Sequence, residues 1–226
     1  MATSGTYDFN PGLGEIVVYA FQNIGVRPTA LLQEHMHSAR MAANMMLSRW
    51  ANQGVNLWAV DIVETTIVDG TATYDVDPST IMILDAYIVV GGNDRIITPV
   101  SRSEYASYPN KDMEGTPTVF WFDRLLAPTV TLWPVPANGV TTTLKYYRLR
   151  QVQDSNLTSG QKVEIPYAWL EAFADGLTYR LARIWQPAAA VALKGQADES
   201  YMLAAGRNVE DSPIYVTPSL SGYYRR

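Results

Sequence analysis

Apolar residues recur at spacings of three and four over residues 11–24, where Leu13, Ile16, Val17, Ala20, Phe21 and Ile24 form one stripe. The spacing predicts a first helix, with Asn10 as N-cap, Pro11 at the first helical position and Gly25 as the stop. A second helix is expected after Pro28, capped by Thr29, with Leu32, Met36, Ala39, Ala43, Met46 and Trp50 on its inner face and Gly54 at its end. The two are expected to pack as a helical hairpin.

From Asn56 the period falls to two, and β-branched and aromatic residues replace the Ala and Met of the helices. Strands are predicted at 58–68 and 71–76 around Asp69-Gly70, a strong hairpin signal, and at 81–90 and 95–100 around Gly91-Gly92-Asn93-Asp94. A turn-rich linker, Ser101 to Pro117, precedes further strands at 118–123, 129–134 and 141–153, the last alternating through Leu144, Tyr146 and Arg148. Together they predict an antiparallel sheet or small sandwich.

Helical spacing resumes after Pro166 through Leu170, Phe173, Leu177, Leu181 and Ile184. Pro187 ends that helix and opens an Ala-rich one over roughly 188–205, whose small residues suit close packing against an element or a subunit. The fold class expected is α+β: a helical bundle built from 10–55 and 165–206, an inserted antiparallel β domain at 56–164, and an extended C-terminal arm at 207–226. Pro213 and Pro218 bias that arm to extended backbone, and Ile214, Tyr215, Val216, Leu220, Tyr223 and Tyr224 give it more apolar surface than a free tail carries. These eight residues are the expected contacts to a partner or a neighbouring subunit.

Charge narrows the partners. The net charge is −5, and Lys plus Arg stand against Asp plus Glu at 3 to 3 in residues 1–56, 7 to 11 in 57–150 and 7 to 8 in 151–226. The acid surplus sits in the β region, which argues against phosphate binding there, since nucleic-acid binders cluster Lys and Arg. With no cysteine, thiolate nucleophiles, disulfides and Cys metal sites are excluded, which suits a reducing cytoplasm. The start, MATSGTYDFNPG, lacks the basic and apolar regions of a signal peptide, and no run is long enough for a membrane span.

Catalytic chemistry finds little footing. His35 and His37 point about 200° apart on a helix, so they cannot share a metal. No G-x-S-x-G elbow occurs, and Gly91-Gly92 lacks the helix and Lys-Ser/Thr of a phosphate loop. Neither a cofactor nor a metal site is expected. Paired carboxylates need no fixed spacing, so Glu164, Glu171 and Asp175 sustain a rival reading as a cell-wall hydrolase. The aromatic cluster Phe120, Trp121, Phe122 and Trp133 sustains a third, a sugar platform on Trp121 or Trp133.

Three runs, LLQEHMHSARMAANMMLSRWANQGVNLW, EYASYPNKDMEGTPTVFWFDRLLAPTVTLWPVP and IPYAWLEAFADGLTYRLA, together resemble the head-to-tail adaptor, or tail accessory factor, of short-tailed bacteriophages. The resemblance covers most of residues 10–205 and rests on order and extent. It implies a non-enzymatic virion protein, assembled in the host cytoplasm, that closes a ring of twelve copies beneath the portal protein. The ring extends the channel through which genomic DNA passes without specific binding, and it receives the tail nozzle or needle. An acidic lumen fits such a channel, because it repels phosphates.

Overall fold

A computed structural model describes residues 3–54, 56–137, 142–157 and 160–209. Among the described residues five α-helices and nine strands follow in a mixed α+β order.

The first helix, α1, runs Leu13–Asn23 and buries Leu13, Ile16, Val17, Ala20 and Phe21, the stripe read from the sequence. It starts later than predicted. Gly12 is still extended and bridged to Lys162, and the Leu13 N–H donates to the Gln161 carbonyl at 3.0 Å, so Asn10 and Pro11 precede the helix. Pro28–Ala30 forms only a short 3₁₀ turn, and α2 spans Gln33–Ala51. Its cap is not Thr29: the Leu32 N–H donates to His35 Nδ1 at 3.1 Å, which leaves Leu32 exposed outside the helix. Helix α3, Arg102–Ser107, lies inside the expected linker and is capped by the Ser101 hydroxyl, which accepts the Glu104 N–H.

Helix α4 is Leu170–Trp185 and α5 is Pro187–Gly206. Leu170, Phe173, Leu177 and Leu181 of α4 are buried as predicted, but Ile184 is exposed, because the chain turns at Gln186 before another turn can cover it. Both α1 and α2 pack chiefly on α4, with α5 on its remaining side, so the expected α1–α2 hairpin gives way to a central α4. At the α2–α4 crossing Gly176 leaves room for Met46: a Cβ there would stand 2.5 Å from the Met46 sulfur and would push that buried side chain aside. Each buried Phe or Leu of this core contributes roughly 1.5–3 kcal/mol by leaving water.

The strands are β1 Val60–Ile67, β2 Thr73–Asp75, β3 Thr80–Val90, β4 Asn93–Pro99, β5 Glu114–Gly115, β6 Val119–Asp123, β7 Thr129–Trp133, β8 Val135–Pro136 and β9 Thr142–Arg150. Seven form one sheet in the order β1-β9-β3-β4-β6-β7-β2, and β5 pairs with β8. The β3–β4 hairpin forms around Gly91-Gly92 as expected. The β1–β2 hairpin does not. Gly70 takes its positive φ of 77°, yet β1 pairs with β9 and β2 with β7, on opposite edges of the sheet. The sheet is also not purely antiparallel, since β4–β6 and β5–β8 run parallel.

The short β1–β2 connection forces the sheet to curl. Residues 68–72 span at most roughly 20 Å, whereas the edges of a flat seven-stranded sheet lie about 29 Å apart. The Tyr74 hydroxyl ties the connection down, accepting the Val68 N–H at 3.0 Å and donating toward the Val68 and Thr71 carbonyls. Inside the curl lies one apolar cluster that includes Ile88, Phe120, Leu132, Leu144 and Tyr146. A separate cluster fills the helices, and Trp58 at the root of β1 joins it by packing 4.9 Å from Trp169.

Candidate functional site

Among the described residues the candidate carboxylates, histidines and tryptophans do not form one site: Glu164 and the tryptophans lie apart from Glu171 and Asp175. Glu164 receives Arg150 in a bidentate ion pair and accepts the Gln153 N–H at 2.9 Å. Arg150 beside it holds its carboxyl below the usual glutamate range, the opposite of what a general acid needs. Arg150 and Arg148 also reach Asp61, so this cluster ties β9 to β1 and to the approach to α4. Glu164 is therefore a strut between the sheet and the helices.

The tryptophans are covered as well. Tyr105 of α3 stacks on Trp121 at 5.4 Å, Tyr108 stacks on Trp133 at 4.3 Å, and the Trp133 indole N–H donates to the Asn110 carbonyl. Lys111 locks the cover in place by donating to the Ala106 and Tyr108 carbonyls at the end of α3. The linker thus occupies the faces on which a sugar would have to stack. His35 is buried, 4.1 Å from the Trp185 ring with which it stacks, whereas His37 is exposed. No group of three or more His, Cys, Asp or Glu able to hold a metal occurs among the described residues.

Glu171 and Asp175 do come together, one turn apart on α4, in a groove of about 720 Å³ between α1, α4 and α5. Glu15 of α1 is the third carboxylate on its wall, and Arg207 is the one cation among the lining residues. Burial, reinforced by the Glu171 charge, pushes the Asp175 carboxyl above its usual range, with the Ser200 hydroxyl pulling partly the other way. Phe9, Tyr19, Tyr167 and Leu203 stand exposed around the rim. That exposed apolar rim fits a docked protein surface better than an enclosed reactive site. Glu171 and Asp175 were among the acids singled out in the sequence beside Glu164; Glu15, the aromatic rim and the separation of the pair from Glu164 were not, because they depend on other elements.

The model of the SU10 adaptor protein family matches residues 27–217. The chain belongs to the SU10 adaptor protein family. The match runs from the 3₁₀ turn before α2 through the sheet, α4 and α5, and on through residues 210–217, so it includes Pro213, Ile214, Tyr215 and Val216. It leaves out α1, and with it Glu15 and Tyr19 of the groove, although α1 supplies five buried residues to the helical core. Pro218, Leu220, Tyr223 and Tyr224 lie beyond the match, and all eight residues expected to make partner contacts lie outside the described residues. No curated protein matches the chain. The family assigns a structural adaptor role in a phage virion, in association with portal and tail proteins; the hydrolase reading has no support in the placement of Glu164, Glu171 and Asp175. No described helix is long and apolar enough to cross a membrane.

Proposed function

We propose that this chain is the head-to-tail adaptor of a short-tailed bacteriophage: twelve copies form a ring under the portal, extend the DNA channel and carry the tail nozzle or needle. The observation that carries the reading is the family match over residues 27–217, and the covered tryptophans and committed Glu164 remove the supports of the enzymatic and sugar-binding rivals. In this reading residues 10–55 and 165–206 act as one helical unit that forms the ring wall, with 56–164 inserted between its halves. The acid surplus of 57–150 faces the channel and keeps DNA sliding.

The C-terminal arm is the portal- or neighbour-binding element in this proposal, through Pro213, Ile214, Tyr215, Val216, Pro218, Leu220, Tyr223 and Tyr224. Its sequence supports that use: six large apolar groups and two prolines on a segment with no helical period suit docking as an extended ribbon. The isolated protein is then a monomer or weakly associated, and it assembles on its cognate portal. Deleting residues 212–226 tests the arm. Loss of co-sedimentation with the portal, with circular dichroism and melting unchanged, is the expected result; loss of folding would assign the arm to the core instead.

A further inference from the structure

Helix α4 carries opposite charge on its two flanks. Glu171 and Asp175 face the groove beside α1. Arg180 stands about 180° around the helix from Glu171 at 100° per residue, on the side of α2, where Arg49 and Arg183 surround it closely enough to repel its charge. Arg49 and Arg180 line one small cleft between α2, α4 and α5, with Asp198 of α5 the single carboxylate on its wall, and none of the three arginines forms an ion pair with a carboxylate among the described residues. Burial and those two like charges push the Arg180 guanidinium below its ordinary range, just as burial and Glu171 push Asp175 upward.

Each charged flank is also greasy. Tyr19, Tyr167 and Leu203 are exposed around the acidic groove, and Met41 and Met45, at i, i+4 spacing with Arg49 on α2, are exposed on the other side. Ile184 is exposed one residue after Arg183. Two apolar surfaces of opposite charge on opposite flanks of one helix are what a head-to-tail contact requires, and such contacts, repeated by rotation, close rings.

We propose that the acidic groove between α1, α4 and α5 of one copy receives the arginine face formed by Arg49, Arg180 and Arg183 of the next copy, so that this is the ring-forming contact. The inference rests on the ring reading above and names the surfaces that build it. Contact neutralises the surplus charge of both clusters and buries both apolar rims at once. Arg180 lies across α4 from Glu171, so it cannot reach the groove of its own copy, where Arg207 is the one cation against three carboxylates.

The absence of cysteine makes the contact trappable, since any cysteine introduced is unique. Tyr167→Cys on the groove rim and Met45→Cys on the arginine face are both exposed, at 76% and 58%. A one-to-one mixture of the two otherwise full-length chains, concentrated until the weak association is populated and oxidised with copper–phenanthroline, is expected to give the mixed disulfide dimer well above either homodimer. Adding Glu171→Lys and Asp175→Lys to the first chain lowers that yield about tenfold or more through like-charge contact. Adding Arg180→Glu and Arg183→Glu to the second chain restores it, and the restoration also shows that both variants are folded. Three results overturn the proposal: no excess of mixed dimer, no restoration by the charge exchange, or a Tyr167→Cys chain that links instead to Tyr223→Cys, which would place the C-terminal arm in the groove. If rings still form on the portal without the cross-link, this inference fails alone; if the cross-link forms but the portal is not bound, the adaptor assignment fails and the contact stands.

Discussion

Replacing Glu164 by Gln separates a strut from a catalytic acid. The side chains of Glu164 and Arg150 are 29% and 20% exposed, so the pair is mostly withdrawn from water, and the carboxylate also holds the Gln153 N–H. Gln keeps one acceptor but loses the charge and one half of the fork. Hydrogen bonds to charged groups contribute roughly 1.5–3 kcal/mol, and Arg150 retains Asp61 as a second partner at 3.4 Å, so a net loss of about 1–2 kcal/mol is expected. For a chain of this size that corresponds to a Tm lower by roughly 2–8 °C.

The pH dependence has a definite sign. Arg150 depresses the folded-state pKa of Glu164, so the pair's contribution is fully present above the ordinary glutamate range and fades as pH falls through the lower, folded value. Thermal unfolding of both proteins, followed by circular dichroism, should therefore show the full difference at pH 7 and a smaller one in strong acid. An equal difference at both pH values, or none at pH 7, would refute the strut. Unchanged stability with lost activity on peptidoglycan would revive the catalytic reading.

Two further outcomes follow from α4. Gly176→Val drives a branched side chain into the buried Met46 and should lower stability by about 1–3 kcal/mol, measured by urea unfolding; stability equal to that of the parent would mean that α2 and α4 do not cross so closely. Asp175→Asn removes a carboxyl whose folded-state pKa is raised, a group that costs stability as pH rises above the ordinary aspartate range and costs nothing in acid where it is protonated in both states. The variant should melt higher than the parent at pH 7 and at the same temperature near pH 3, and a lower melting point at pH 7 would contradict the unpaired acidic groove.

Local pattern read the helices well because their burial is periodic within one element: the stripe Ile16, Val17, Ala20, Phe21 and the stripe Phe173, Leu177, Leu181 needed no knowledge of what covers them. Helix starts were less legible. The start of α1 is set by Gln161 and Lys162, far along the chain, and that of α2 by a histidine ring in place of the usual hydroxyl or carboxylate. The Asp69-Gly70 turn exists, but which strands pair is a property of the whole sheet, and closing the curl sends β1 and β2 to opposite edges. The same limit hid the site. Glu171 and Asp175 were visible as candidate acids, grouped with a Glu164 that the fold places elsewhere, whereas Glu15, Arg49 and the stacking of Tyr105 and Tyr108 on the tryptophans depend on elements brought together only by the fold.

The most direct test of the adaptor account is electron microscopy of the purified full-length chain mixed with its cognate portal. The account predicts an added ring on the portal, coaxial with its channel and with twelve copies around the axis. Portal particles that remain bare at saturating concentrations of a folded chain would contradict it.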